Sequence, residues 1–349
     1  MDLSSFVPPR CPNQSCANHL SPRPKFFLRH GSYTVLCRSH PIPRFRCKDC
    51  RKTFGYQTFR ADYRDQRPEL NAEILERHTG GQSLRRLAMD LHIDIHGIQK
   101  KARKLARHGK ALHANFLRKL PEGRTFLLDE AETFEQDHIR PLTVPVLIEK
   151  QSGMVIACGV APIRRLARKG SPRRKRQERM EQLEGKRRDR SRACVKDVLQ
   201  TLANLLQDQT CILRTDEKRM YTTVIRRLFA DRATHRTTPS RAPRNTFNPL
   251  FPINHTFARF RDLGSRLHRR SWCVSKKAAG LETQLELLRL YRNYIRRRTN
   301  GEAAHRTPAW HLGLMDRQLS YAEACSWRQD WGLLSCHPMS VDGMLTVAA

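Results

Sequence analysis

The stretch RTFLLDEAETFE, residues 124–135, is an apolar run broken at Asp129 by a cluster of acidic residues. Its spacing predicts a strand that delivers a carboxylate, and a carboxylate following an apolar strand has no packing reason to be there. Next comes PLTVPVLIE–KQSG–MVIACGVAP (141–162), which reads as a hairpin turning at Ser152-Gly153. ACVKDVLQTLANLLQD (193–208) then places Val195, Val198, Leu199, Leu202, Leu205 and Leu206 on one helical face. TCILRTDEKRMY (210–221) is a second short apolar strand, ending at Asp216 and turning into a helix. ATHRT predicts another strand, residues 239–255 a loop, and Leu281–Arg298 a long helix buried through Leu281, Leu285, Leu288 and Ile295. This order predicts an α/β fold with a mixed sheet flanked by helices.

Two aspartates on neighbouring strand ends can share a pair of Mg²⁺ or Mn²⁺ ions, since hard cations take oxygen ligands and accept phosphate oxygens. Such a pair favours in-line displacement at a phosphodiester. A third carboxylate is needed. Glu282, in the first turn of the last helix, is the leading candidate, with Glu286 and Asp262 behind it. A solvated glutamate favoured by the helix dipole is the plainer account of Glu282. Glu130, Glu132 and Glu217 are neighbours that strand alternation is expected to turn outward.

Upstream, residues 1–60 carry Cys11 and Cys16 in CPNQSC and Cys47 and Cys50 in CKDC. Short loops that supply thiolates in pairs suit a structural zinc ion, and the first pair is wider than usual by two residues. Cys37, His30 and His40 lie between the pairs and are alternative ligands. Arg46 and Lys48 flank the second pair as phosphate contacts would.

Residues 61–120 turn helical. ELNAEILERH ends at Gly80-Gly81, Ser83 caps LRRLAMDL, and Asp94 caps IHGIQKKARKLARHG, with Gly109 as the expected terminator. Helix, short turn and basic second helix are the layout of a helix-turn-helix, with Lys100, Lys101, Arg103, Lys104 and Arg107 as candidate DNA contacts. An ordinary hairpin with a solvated basic face is the alternative.

The chain has 349 residues, 66 Lys+Arg against 33 Asp+Glu, and a formal charge of +33. That surplus calls for a polyanion, nucleic acid first. No apolar run approaches the ~20 residues of a membrane span. The opening residues lack an apolar signal core, so a cytoplasmic protein with reduced thiols is expected. Residues 164–192 hold 14 Lys/Arg against 4 Asp/Glu, including Arg173, Arg174, Lys175 and Arg176. Runs of this kind are usually solvated or disordered, and here the run suggests a DNA-gripping insertion.

Taken together, CPNQSC, HGSY and RFRCKDCRKTF resemble the N-terminal zinc ribbon of bacterial insertion-sequence transposases of the DDE superfamily. LLDEAETF and RTDEKRMY are similar to that family's two aspartate blocks, and RLHRRSWCVSKKAAGLETQLELLRLYRNYI to its last acidic block. TPAWHLGLMDRQLS resembles the tail of many such enzymes. The resemblance implies a ribbon (1–60), a helix-turn-helix domain (61–120), an RNase H-like catalytic domain (121–300) and a tail (301–349). It also implies Asp129, Asp216 and Glu282 as catalytic triad and Cys11, Cys16, Cys47 and Cys50 as zinc ligands. The chain departs from the family's Asn-x-x-Glu at Asn254-His-Thr-Phe257, and its 164–192 run is longer than the family pattern. The implied activity is Mg-dependent cleavage at inverted repeats and joining of the 3′ ends to target DNA, by a dimer or larger multimer on double-stranded DNA. A non-catalytic DNA-binding regulator and a structure-specific nuclease of the same fold are the alternatives.

Overall fold

The computed structural model of the chain describes residues 6–35, 40–118, 120–243, 245–268 and 274–327. Cys37, Arg269, Arg270, Cys273 and the tail from 328 onward lie outside the described residues.

The N-terminal segment is a short helix, α1 (Ala17–Leu20), and a three-stranded antiparallel sheet of β1 (Phe27–Tyr33), β2 (Ile42–Cys47) and β3 (Thr53–Gly55). Its small core is aromatic: Phe6, Phe26, Phe45, Phe54, Tyr56 and Phe59 surround the cysteines. Phe6 meets Tyr56 edge-on with ring centroids 4.8 Å apart, and Phe54 meets Phe59 likewise at 5.8 Å. So little apolar area rarely holds a fold without a cross-link or a metal.

Three helices follow: α2 (Leu70–Thr79), α3 (Leu84–Asp90) and α4 (Ile95–Leu117). Ser83 caps α3 by accepting from the Arg86 N–H, and Asp94 caps α4 by accepting from His96 and Gly97. Gly109, the expected terminator, lies well inside α4. A Cβ there would meet the Leu290 side chain at 3.1 Å, so its bareness serves a close helix crossing rather than a stop.

The body is a six-stranded sheet. β4 (Thr125–Glu135) and β5 (Asp137–Glu149) form a long antiparallel hairpin. β6 (Val155–Cys158) and the two-residue β7 (Ala161–Pro162) both pair with β5. Next come α5 (Pro172–Glu184), α6 (Ser191–Leu206), β8 (Cys211–Asp216), α7 (Arg219–Phe229) and β9 (Ala233–Thr238). The strand order is β6-β5-β4-β8-β9, with β8 parallel to β4 and β9 parallel to β8. The chain closes with α8 (Phe251–Leu263), α9 (Ala278–Leu290) running into a π-helical turn at Tyr291–Ile295, α10 (Pro308–His311) and α11 (Tyr321–Ser326). This is a mixed α/β fold whose mixed sheet is flanked by helices.

Both faces of the sheet are covered, which explains why β4 and β5 read as nearly continuous apolar runs. Phe126, Leu128, Leu147 and Leu213 share a core with α6 and α7, and that core continues into α2, α3 and α4. Leu127, Val144, Val146 and Ile148 face the opposite way, onto Ile253, Phe257 and Phe260 of α8 and Leu281, Leu285 and Leu288 of α9. Truncating a fully buried leucine of this sort costs about 2–5 kcal/mol.

The basic run at 164–192 is ordered around α5. Pro172 opens that helix and Ser171 caps it. Only Gln177 of α5 is buried, so ion pairs hold the segment. Arg165 pairs with Glu132, Arg176 with Asp137, Arg187 with Glu135 and Arg164 with Glu181.

Candidate metal centres and nucleic-acid face

β2 ends at Cys47 and turns back through Cys50, while Cys11 and Cys16 approach from the loop before α1. Their four Sγ atoms lie within 4.8 Å of one another, with Cys11 to Cys50 at 3.4 Å and Cys16 to Cys47 at 3.8 Å. Zn–S bonds of ~2.3 Å in a tetrahedron imply S–S separations of ~3.8 Å, so the set is compatible with a structural zinc ion. The buried Asn18 amide stands 3.9 Å from the sulfurs of Cys16 and Cys47 and donates to Asp49 at 2.7 Å, fixing both knuckles. Burial raises the Cys11 thiol. Burial also opposes ionisation of Cys50, yet the Lys52 backbone and the Cys11 thiol outweigh it and lower Cys50 to about 7. His30 and His40 are not in the group.

The two aspartates come together through strand register. Leu127 of β4 sits beside Arg214 of β8, and extending this parallel pairing by two residues sets Asp129 beside Asp216. Residues level on neighbouring strands project to the same face, here the one that carries α8 and α9. Asp129 accepts from the Glu130 N–H at 2.7 Å and Asp216 from the Lys218 N–H at 3.0 Å.

Glu130, a neighbour expected to turn outward, is held instead. It accepts from Thr143 (2.7 Å), Lys218 (2.8 Å) and Tyr221 (2.9 Å). Burial raises the Tyr221 phenol far above its ordinary value, and Glu130, Asp129 and Asp216 push it further. Glu130 alone of the three is hydrogen-bonded to that hydroxyl, and the two aspartates act on it through charge. Glu130, Lys218 and Tyr221 are the polar groups missed from sequence. The apolar periodicity of α7, with Tyr221 on its buried side, was the available signal.

Glu282 stands elsewhere on the same side of the sheet. Asp129 is opposite Val146, and Val146 is opposite Cys158, so Cys158 lies two strands or ~10 Å from Asp129. Glu282 and Glu286 line a groove of about 740 Å³ beside Cys158 and Val160. Glu286 is paired with Arg289, and Asp262 is exposed on α8. Among the described residues, the four cysteines are the one group of three or more His, Cys, Asp or Glu gathered within 4.8 Å. Asp129 and Asp216 thus stand at corresponding positions on neighbouring strands, and Glu282 lies in the groove beside Cys158.

The opposite wall of the groove is α4. Lys100, Arg103 and Arg107, with Lys110, line it at helical spacing and are exposed. Lys101 and Lys104 turn away from that wall. The Lys101 ammonium is buried and donates to Asp65, Arg67 O and Asn71, which uses all three of its protons. Lys104 donates to the Tyr63 carbonyl, and burial lowers its pKa. Both lysines tie α4 to the preceding loop. Arg46 and Lys48 are exposed beside the knuckle. On α5, Arg174 pairs with Glu178, Arg176 with Asp137, and Arg173 donates to the His138 carbonyl, while Lys175 is exposed. No helix among the described residues is long and apolar enough to cross a membrane. No protein-family model matches the chain, and no curated protein matches it significantly.

Proposed function

We propose that the chain is a DNA transposase of the DDE kind, with an RNase H-like catalytic sheet, a zinc ribbon and a helix-turn-helix formed by α3 and α4. The observation that carries this reading is that Asp129 and Asp216 each stand two residues beyond Leu127 and Arg214, the last paired residues of adjacent parallel strands at the centre of a β6-β5-β4-β8-β9 sheet. With the two-residue β7 set aside, three antiparallel strands followed by two parallel ones, with the first strand in the middle, bring β4 and β8 side by side. Both carry an aspartate there, in a chain of charge +33.

In this reading Asp129 and Asp216 hold Mg²⁺ or Mn²⁺, and Glu282 supplies the third carboxylate from α9. Magnesium there would withdraw charge from the scissile phosphodiester and from the attacking oxygen. Water adds to phosphorus as the 3′ oxygen leaves, and the freed 3′-hydroxyl then displaces a second phosphodiester in the target, one bond formed for each broken. Lys218 and Tyr221 hold the Glu130 carboxylate by hydrogen bonds. Lys100, Arg103 and Arg107 grip phosphates next to Glu282. Two ends must be held at once, so the working form is a dimer or a larger multimer.

The test uses labelled duplexes from the flanks of the coding region, a plasmid target and Mg²⁺. Joined product is expected from the native chain and none from Asp216→Asn, with duplex binding kept. Joining at normal rates by Asp216→Asn would overturn the metal assignment. Binding without cleavage by the native chain would make it a DNA-binding regulator, and cleavage without joining a nuclease.

A further inference from the structure

At the far end of the sheet from the aspartates, the β5–β6 turn, α8 and the π-helical turn bring arginines together without matching acids. Arg259 of α8 and Arg292 of the π turn both donate to one carbonyl, that of Arg298, at 2.9 and 3.1 Å. Two guanidiniums are thereby held on a single acceptor. Arg296 follows in the chain and donates to Asn300 at 2.7 Å. Of the carboxylates in this region, Glu302 is taken by Arg298 and His311, and Glu149 of the β5–β6 turn accepts from the Gln151 N–H and from the N–H and hydroxyl of Ser152. Among the described residues no Asp or Glu pairs with Arg259, Arg292 or Arg296.

Arg292 makes this arrangement costly. It is 5% exposed, lies under the hairpin turn at Gly153, and its Nε has no hydrogen-bond partner. Burial, with Arg259, Arg298 and Arg296 close by, lowers it to about 9. A buried cation of this kind is normally paired. The solvent-facing side is formed by the half-buried Arg259 and Arg296 and by the exposed His255, whose ring stacks on Phe251.

We infer that Arg259, Arg292 and Arg296 form a site for a phosphate group, separate from the aspartate pair. Forked guanidinium donors match phosphate oxygens, and the anion supplies the counter-charge that the protein omits. The phosphate is either a backbone phosphodiester of bound nucleic acid or a free phosphate. Because the site rests on its own residues, it stands whether or not the chain joins DNA.

The test compares the native chain with Arg259→Gln and Arg296→Gln, and with Arg226→Gln on the exposed side of α7 as a charge-matched control. Arg292 is left in place because it is buried. Thermal midpoints are measured against inorganic phosphate, with chloride at equal ionic strength. A saturable rise in the native chain and the control, weakened at least ~10-fold in affinity in either site variant, supports the site. Duplex binding across a salt series separates the sources. A salt slope reduced by ~1 per site arginine identifies a backbone phosphate, and an unchanged slope identifies a free one. Equal midpoints in phosphate and chloride, with unchanged slopes in the variants, would overturn it.

Discussion

The cysteine cluster and the aspartate pair both consist of side chains of types that ligate metals, yet they are built in opposite ways. The four thiols close on one point, with an amide fixed across them and six aromatic side chains packed around them. The aspartates lie level on two strands, open to one side, with Glu282 across the surface beyond Val146 and Cys158. A closed tetrahedron leaves no position for a substrate, whereas an open pair leaves several. The first arrangement suits stability and the second suits exchange.

Zinc removal should give the largest effect. Structural zinc in small domains contributes ~10–16 kcal/mol of apparent binding energy, so chelation or Cys47→Ser should unfold the β1–β3 sheet. Loss of one zinc per chain and of protection of the Phe45 and Phe54 amides from hydrogen exchange would report it. A ribbon that stays protected without metal would mean the aromatic core suffices, and the contrast between the two sets would collapse.

Acid gives the next effect, and it acts on the body that carries the aspartates. Burial lowers His108 to about 4, where its Nε2 donates to the Ala324 carbonyl at 3.0 Å, and lowers His113 as well. The unfolded chain takes up these protons first, so the stability tied to neutral His108 is present above pH ~6.5 and is lost as pH falls from there toward 4. A shift of that size corresponds to about 3 kcal/mol. Thermal midpoints against pH should fall more steeply in the native chain than in His108→Gln.

The smallest stability change belongs to the aspartates. Asp216→Asn keeps an acceptor for the Lys218 N–H and removes one charge from a group that includes Asp129 and Glu130, so stability should change by less than about 1 kcal/mol. Mg²⁺ should raise the midpoint of the native chain and not that of the variant. A large drop in Asp216→Asn would mark the carboxylate as structural. Glu282→Gln sharpens the comparison within the open set: cleavage lost at unchanged duplex affinity would count Glu282 with the aspartates, and unchanged cleavage would leave it a groove residue.

Much of this was legible from sequence because short-range rules govern it. The strands bearing Asp129 and Asp216, the turn at Ser152-Gly153, the Ser83 and Asp94 caps and the paired cysteines each lie where local patterning puts them. What escaped depends on partners distant in the chain. Gly109 reads as a stop until Leu290 is set against it. Lys101 and Lys104 look like phosphate contacts until Asp65 and Tyr63 claim them. The 164–192 run looks free until Glu132, Glu135 and Asp137 on the β4–β5 hairpin are found beneath it. Counting charge gives the sign of the partner, and only tertiary pairing shows which charges remain available.

The crossing at Gly109 has a mechanical consequence. With no side chain between them, the backbone of α4 rests on Leu290, near the C-terminal end of the helix that carries Glu282. Gly109 lies within the Lys100–Lys110 span, so the stripe and α9 meet at this one crossing. Enlarging residue 109 would act as a wedge, prying α4 off α9 while leaving every charge on both in place.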